Sequence, residues 1–68
     1  MNVTVNGEPR ALPAGATVAT AVELLDVVPG ARGVAVAVDG EVVTRSSWPE
    51  TELREGSLVE ILGAIGGG

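Results

Sequence analysis

Asn2-Val3-Thr4-Val5-Asn6-Gly7-Glu8-Pro9-Arg10-Ala11-Leu12 decides how the rest of the chain is read. Polar and apolar residues alternate over Asn2–Val5, as a half-buried strand requires, and Asn6-Gly7 is the strongest short signal for a two-residue hairpin turn. The return strand, Glu8 to Leu12, carries Pro9, which cannot donate to a ladder and therefore belongs at a sheet edge. Beyond this hairpin, Pro13-Ala14-Gly15 reads as a loop. Thr17 is placed as the N-cap of a helix whose Val18, Ala21, Val22 and Leu25 recur at i, i+3, i+4 and i+7. That amphipathic helix closes near Asp26 to Val28, ahead of Pro29-Gly30.

Val34 to Val38 is a continuous apolar run, mostly β-branched, and predicts a buried central strand. Asp39-Gly40 is a second two-residue turn, with Glu41-Val42-Val43-Thr44 returning from it. Arg45 to Glu55 reads as irregular, because Ser46-Ser47 and Pro49 interrupt any pattern, with Trp48 as a lid on the core. Glu55-Gly56 turns the chain into a last strand from Leu58 to about Ala64. The expected class is therefore α+β, in the order ββαβββ, with a mixed sheet of four to five strands wrapped over one main helix. Residues 1–65 form the domain and residues 66–68 a flexible glycine tail. A leading hairpin, a helix across the sheet and a final strand running into glycines resemble the β-grasp arrangement of ubiquitin-like proteins.

A chain of 68 residues buries only about 60% of the surface it exposes when unfolded, so little beyond apolar packing can hold it. It contains no Cys and no His, and its four basic residues are all arginines. Disulfides, thiolate metal sites and thiol catalysis are excluded together, as is the side chain that titrates near neutrality. Hydrophobic residues make up 46% of the sequence and Trp48 is its only aromatic. The net charge of −5 repels nucleic-acid phosphates, and no Lys/Arg cluster or aromatic row offsets it. The same charge suits either a basic patch on a partner protein or mere solubility. No stretch approaches the ~20 apolar residues that span a bilayer, and no signal-peptide core opens the chain, so a cytoplasmic protein without membrane contact is expected.

With those nucleophiles missing, the reactive group becomes the α-carboxylate of Gly68, carried on Gly66-Gly67-Gly68. A carboxylate is a poor electrophile, and a mixed anhydride with AMP would give it a leaving group. That step needs an ATP-dependent enzyme with a closed pocket. Ile65 to Gly68 extend at most ~13–14 Å, enough to leave a domain surface and enter such a channel. Glycine lacks Cβ, so the channel can be narrow and the backbone unrestricted. The alternative is that the glycines form an incidental disordered end.

Together, Val3-Thr4-Val5-Asn6-Gly7-Glu8, Pro13-Ala14-Gly15-Ala16-Thr17-Val18, Val36-Ala37-Val38-Asp39-Gly40-Glu41-Val42-Val43, Arg45-Ser46-Ser47-Trp48 and Gly56-Ser57-Leu58-Val59-Glu60-Ile61, ending in Ala64-Ile65-Gly66-Gly67-Gly68, resemble the ThiS family of sulfur carriers in thiamine thiazole biosynthesis. That family belongs to the ThiS/MoaD group of ubiquitin-like proteins, and the resemblance covers essentially the whole chain. It implies that an E1-like adenylyltransferase of the ThiF type adenylates Gly68 with ATP. Sulfur from a donor such as a cysteine desulfurase then displaces AMP and leaves a thiocarboxylate, which thiazole synthase of the ThiG type consumes. The family's diglycine matches Gly67-Gly68, while Gly66 stands where relatives carry small residues. The chain itself is then no enzyme and binds no cofactor or metal; ATP belongs to the partner.

On the last strand, Val59 and Ile61 share one parity, while Leu58, Glu60, Leu62 and Ala64 share the other, which Glu60 marks as solvent-facing. Leu62, Ala64 and Ile65 would then form an apolar docking patch beside the tail, unless the helix or the Trp48 loop covers them. Trp48 reads as a core plug rather than a partner anchor, and Arg45 and Arg54 as solvated. Glu50, Glu52 and Glu55 share one loop and read as a solvated acidic surface rather than an acid/base or cation site. Other readings stay open: a MoaD-type carrier for molybdopterin synthesis, a ubiquitin-like modifier ligated through Gly68, or a passive interaction module.

Overall fold

In the computed structural model, residues 1–25 and 33–64 are described. The Asn6-Gly7 turn forms as its sequence requires. Both residues have positive φ, 50° and 82°, the twist that joins two strands through two residues. It links β1 (Asn2–Val5) to β2 (Glu8–Ala11) with Thr4 opposite Pro9. β2 lies at the edge of the sheet, where a residue without an N–H is tolerated.

Helix α1 spans Val18–Leu25. Its start is a reciprocal cap: the Thr20 amide donates to Thr17 Oγ1 at 3.3 Å, and the Thr17 amide donates to Thr20 Oγ1 at 3.1 Å. A threonine thus fills the N3 role usually taken by Glu or Gln. Val18 and Ala21 are fully buried, and Val22 and Leu25 pack half-buried against the core. The expected helix end near Asp26 to Val28 lies outside the described residues.

β3 (Gly33–Val38), β4 (Glu41–Val43) and β5 (Leu58–Ala64) complete one five-stranded sheet in the order β2-β1-β5-β3-β4. β5 runs parallel to β1 and antiparallel to β3. The mixed sheet over one helix, in chain order ββαβββ, is the β-grasp architecture. Two expectations need correction. The Val34–Val38 run is an interior strand, between β5 and β4, as expected, but it is not buried throughout: of this run only Val36 is fully buried. The run alternates after all, with Val34, Val36 and Val38 toward the core and Ala35 and Ala37 toward the open face. Because the outward residues are alanines, the period of two is invisible as polarity. The stretch read as irregular contains a 3₁₀ helix, η1 (Arg45–Glu50), which Pro49 does not break. The Ser47 amide donates to the Thr44 carbonyl at 2.9 Å, a bond three residues back that suits the tighter helix.

The core lies on one face of the sheet. Val3 and Val5 from β1, Val36 from β3, and Val59 and Ile61 from β5 meet Val18 and Ala21 of α1, with Leu12, Ala16 and Leu53 from the connections. Trp48 closes this cluster, 7% exposed, and its indole N–H donates to the Val43 carbonyl at 3.0 Å. The Arg45 guanidinium stands 5.5 Å over the ring. Trp48 is therefore the core plug that the sequence reading expected. α1 is tied to the following segment through Val18 N–H to the Thr51 carbonyl and Leu53 N–H to the Ala16 carbonyl, both 2.9 Å.

Candidate functional site

Among the described residues, α1 and η1 both lie on one face of the sheet and no element covers the other. On it stand Leu58, Glu60 and Leu62 of β5, Ala35 and Ala37 of β3 and Val42 of β4. Register places Ala35 opposite Leu62, Ala37 opposite Glu60, and Val42 opposite Ala37. Val42 is 78% exposed, Leu62 66% and Leu58 58%. β3 separates Val42 from the two leucines, and its Ala35 and Ala37 lie between them, so the three form one apolar strip, a candidate contact surface. The alternative that α1 or the Trp48 segment covers Leu62 is not what the fold does, since both lie on the core face. The parity argument for β5 holds from Leu58 to Leu62, with Val59 and Ile61 buried at 2% and Leu58, Glu60 and Leu62 exposed. The side chain of Ala64, placed in the exposed set, lies outside the description.

This open strip leads along the middle strand toward the glycines. Ala64 closes β5 opposite Gly33. Ile65 and Gly66, Gly67 and Gly68 lie outside the described residues. The strand that points to them is held at several points that the sequence reading treated only as turns. The Asn6 carboxamide faces Ile61 with both ends, accepting from Ile61 N–H at 2.8 Å and donating to the Ile61 carbonyl at 3.0 Å. Asn6 N–H adds a bond to the Val59 carbonyl at 2.9 Å. Across the sheet, Asp39 Oδ1 accepts from Leu58 N–H at 2.9 Å, and Asp39 N–H donates to the Leu58 carbonyl at 2.8 Å. The two left-handed turn residues thus clamp β5 from both sides. Their carboxamide and carboxylate were the available signal, since Gly would make either turn but could make neither clamp.

A third clamp holds the entrance of β5. Gly56 N–H donates to the Asn2 carbonyl at 2.7 Å and Asn2 N–H to Glu55 Oε1 at 3.0 Å. Ser57, buried, satisfies its hydroxyl on Arg54 N–H at 2.9 Å. Among the described residues, the carboxylates do not gather into a metal-holding group, and Glu8–Arg10 at 3.1 Å is the one ion pair. That pair is exposed and contributes little. Glu50, Glu52 and Glu55 are exposed on the connection to β5. No helix among the described residues is long and apolar enough to cross a membrane.

The comparisons with known proteins agree with this architecture. No curated protein matches the chain significantly. The crystal structure of the thiamine biosynthesis protein ThiS from Geobacter metallireducens matches with a TM-score of 0.79 and 36% identity, covering 100% of both chains. The solution structure of a thiamine biosynthesis protein from the same organism matches with a TM-score of 0.75 and 34% identity, covering 100% of this chain and 88% of that one. The ThiS family model matches residues 3–68, a span that takes in the hairpin, the clamped middle strand and the terminal glycines. The chain belongs to the ThiS family.

Proposed function

We propose that the chain is the sulfur carrier of thiamine thiazole biosynthesis, a cytoplasmic protein acting through the carboxylate of Gly68 and not itself an enzyme. The observation that carries this reading is the ThiS family match over residues 3–68, which includes Gly67-Gly68. In this reading an adenylyltransferase of the ThiF type uses ATP to form the acyl adenylate, with pyrophosphate leaving. The outer sulfur of a persulfide on a donor such as a cysteine desulfurase attacks the acyl carbon and AMP leaves. A thiol then cleaves the acyl disulfide, forming a disulfide with the donor's sulfur and releasing the thiocarboxylate. The resulting thiocarboxylate is ionised at neutral pH, soft and nucleophilic, yet tethered, so no free sulfide diffuses away. Thiazole synthase of the ThiG type then accepts that sulfur.

The protein's own contribution is geometric. The open face, with Leu62 beside the exit of β5, docks on the partner enzyme, and Ala64 and Ile65 extend that contact toward the tail. Gly66 and Gly67 pass through the partner's channel without side chains. The three clamps on β5 keep the strand fixed while the tail is handed over. Pyrophosphate release from ATP by the adenylyltransferase tests the proposal. Full-length chain supports release, and a variant lacking Gly67 and Gly68 does not. Equal release with both would overturn the assignment of Gly68. Product formation with a molybdopterin synthase large subunit instead of thiazole synthase would overturn the pathway.

A further inference from the structure

Asn6 precedes Gly7, and an asparagine before glycine is the amide most prone to spontaneous loss, because the glycine nitrogen meets no side chain as it attacks. Gly7 has open space where a Cβ would stand. In this fold, however, the Asn6 carboxamide is occupied at both ends by Ile61, at 2.8 and 3.0 Å. It cannot stay on Ile61 and also turn its Cγ onto the Gly7 nitrogen. Asn6 itself is solvent-exposed while its partner strand is buried through Ile61 at 2%. Water therefore reaches the group, and the clamp withholds it together with the left-handed turn backbone that holds Asn6 at φ 50°.

We propose that Asn6 is a deamidation site gated by the separation of β1 from β5, and that its conversion prevents the clamp from reforming. The Gly7 amide nitrogen loses its proton and attacks Asn6 Cγ; a C–N bond forms, the bond to the side-chain nitrogen breaks, and ammonia leaves a succinimide. Water then opens either carbonyl, giving aspartate or isoaspartate. Neither product can donate to the Ile61 carbonyl: a carboxylate oxygen faces it instead, leaving a buried acceptor unpaired beside a negative charge. Isoaspartate also adds a backbone atom to a two-residue turn whose geometry admits none. Among the described residues, Asp39, at the matching place in the second hairpin, meets an N–H with its side chain, at Leu58, so an acid suffices there. The two turns have different chemical requirements although their backbones match. This reading of Asn6 does not depend on what the tail does.

The sequence makes the test clean. Asn2 and Asn6 are its only carboxamide side chains, and Asn2 precedes the β-branched Val3. Intact mass and fragment mass are followed for the full-length chain in mildly alkaline buffer, folded and in denaturing urea. The folded chain gains the amide-to-acid mass difference at Asn6 at least roughly tenfold more slowly, the factor that modest local opening free energies impose. Equal rates would overturn the gate. The aged fraction, separable by its extra negative charge, is then unfolded in urea by Trp48 emission. Its folded-to-unfolded ratio falls at least about fivefold, as losing one satisfied buried acceptor implies. An unchanged midpoint would overturn the second half of the proposal.

Discussion

Leu62 and Ile61 are neighbours on β5 with opposite exposures, 66% and 2%, and cutting each to alanine separates recognition from stability. Leu62→Ala removes a side chain that touches mostly water, so folding changes by no more than about 0.5 kcal/mol, as for an ordinary surface position. In a docked complex about two-thirds of that side chain's surface is available to bury. Full burial of a leucine is worth about 1.5–3 kcal/mol, so its loss costs about 1–2 kcal/mol of binding. That corresponds to roughly a fivefold to thirtyfold weaker complex. Ile61→Ala empties a core position and costs about 2–5 kcal/mol, a large part of the roughly 3–10 kcal/mol available to a chain of this length. Urea unfolding followed by Trp48 emission gives the stability change, and titration against the adenylyltransferase gives the affinity. Leu62→Ala that destabilises the fold by more than about 1 kcal/mol, or binds with unchanged affinity, refutes the open-face account.

Trp48→Phe leaves the Val43 carbonyl without its donor and weakens the stacking of Arg45; a loss of about 1–3 kcal/mol is expected by circular dichroism in urea. Thr17→Ala removes one arm of the reciprocal cap and lowers stability by about 1 kcal/mol, measurable in the same titration. Asp39→Asn keeps an acceptor for Leu58 N–H and tolerates positive φ, so its unfolding midpoint stays within about 0.5 kcal/mol of the parent. Asp39→Val forces a β-branched residue into φ near 50° and loses the clamp as well, at a cost of about 2 kcal/mol or more.

Local chemistry made much of the fold legible. Asn6-Gly7 and Asp39-Gly40 announced both hairpins, Pro9 announced the edge, and the stripe from Val18 to Leu25 announced the helix. What failed to show was whatever depends on a distant partner. Asn6 finds Ile61 across a sequence separation of 55, and nothing local to either residue encodes that meeting. The position of β5 between β1 and β3 is likewise a consequence of pairing, and the apolar run at Val34–Val38 read as buried throughout on composition alone. Its outward alanines concealed the alternation. The 3₁₀ helix at Arg45–Glu50 went unseen because Ser46, Ser47 and Pro49 disfavour an α-helix without excluding a tighter turn. Of the candidate site, the exposure of Leu62 followed from the charge on Glu60 two residues away. The open face as a whole did not, since Val42 and Leu58 join it only through register.

The central claim concerns the acyl group of Gly68, and intact mass reads it directly. The full-length chain is incubated with the adenylyltransferase, ATP, a persulfide-generating sulfur donor and a thiol reductant, then weighed. A mass gain equal to replacing one oxygen by sulfur, confined to the C-terminal fragment and absent without ATP, is the predicted result. A chain that keeps its mass while the same enzyme and donor charge another ThiS-family carrier would contradict the account.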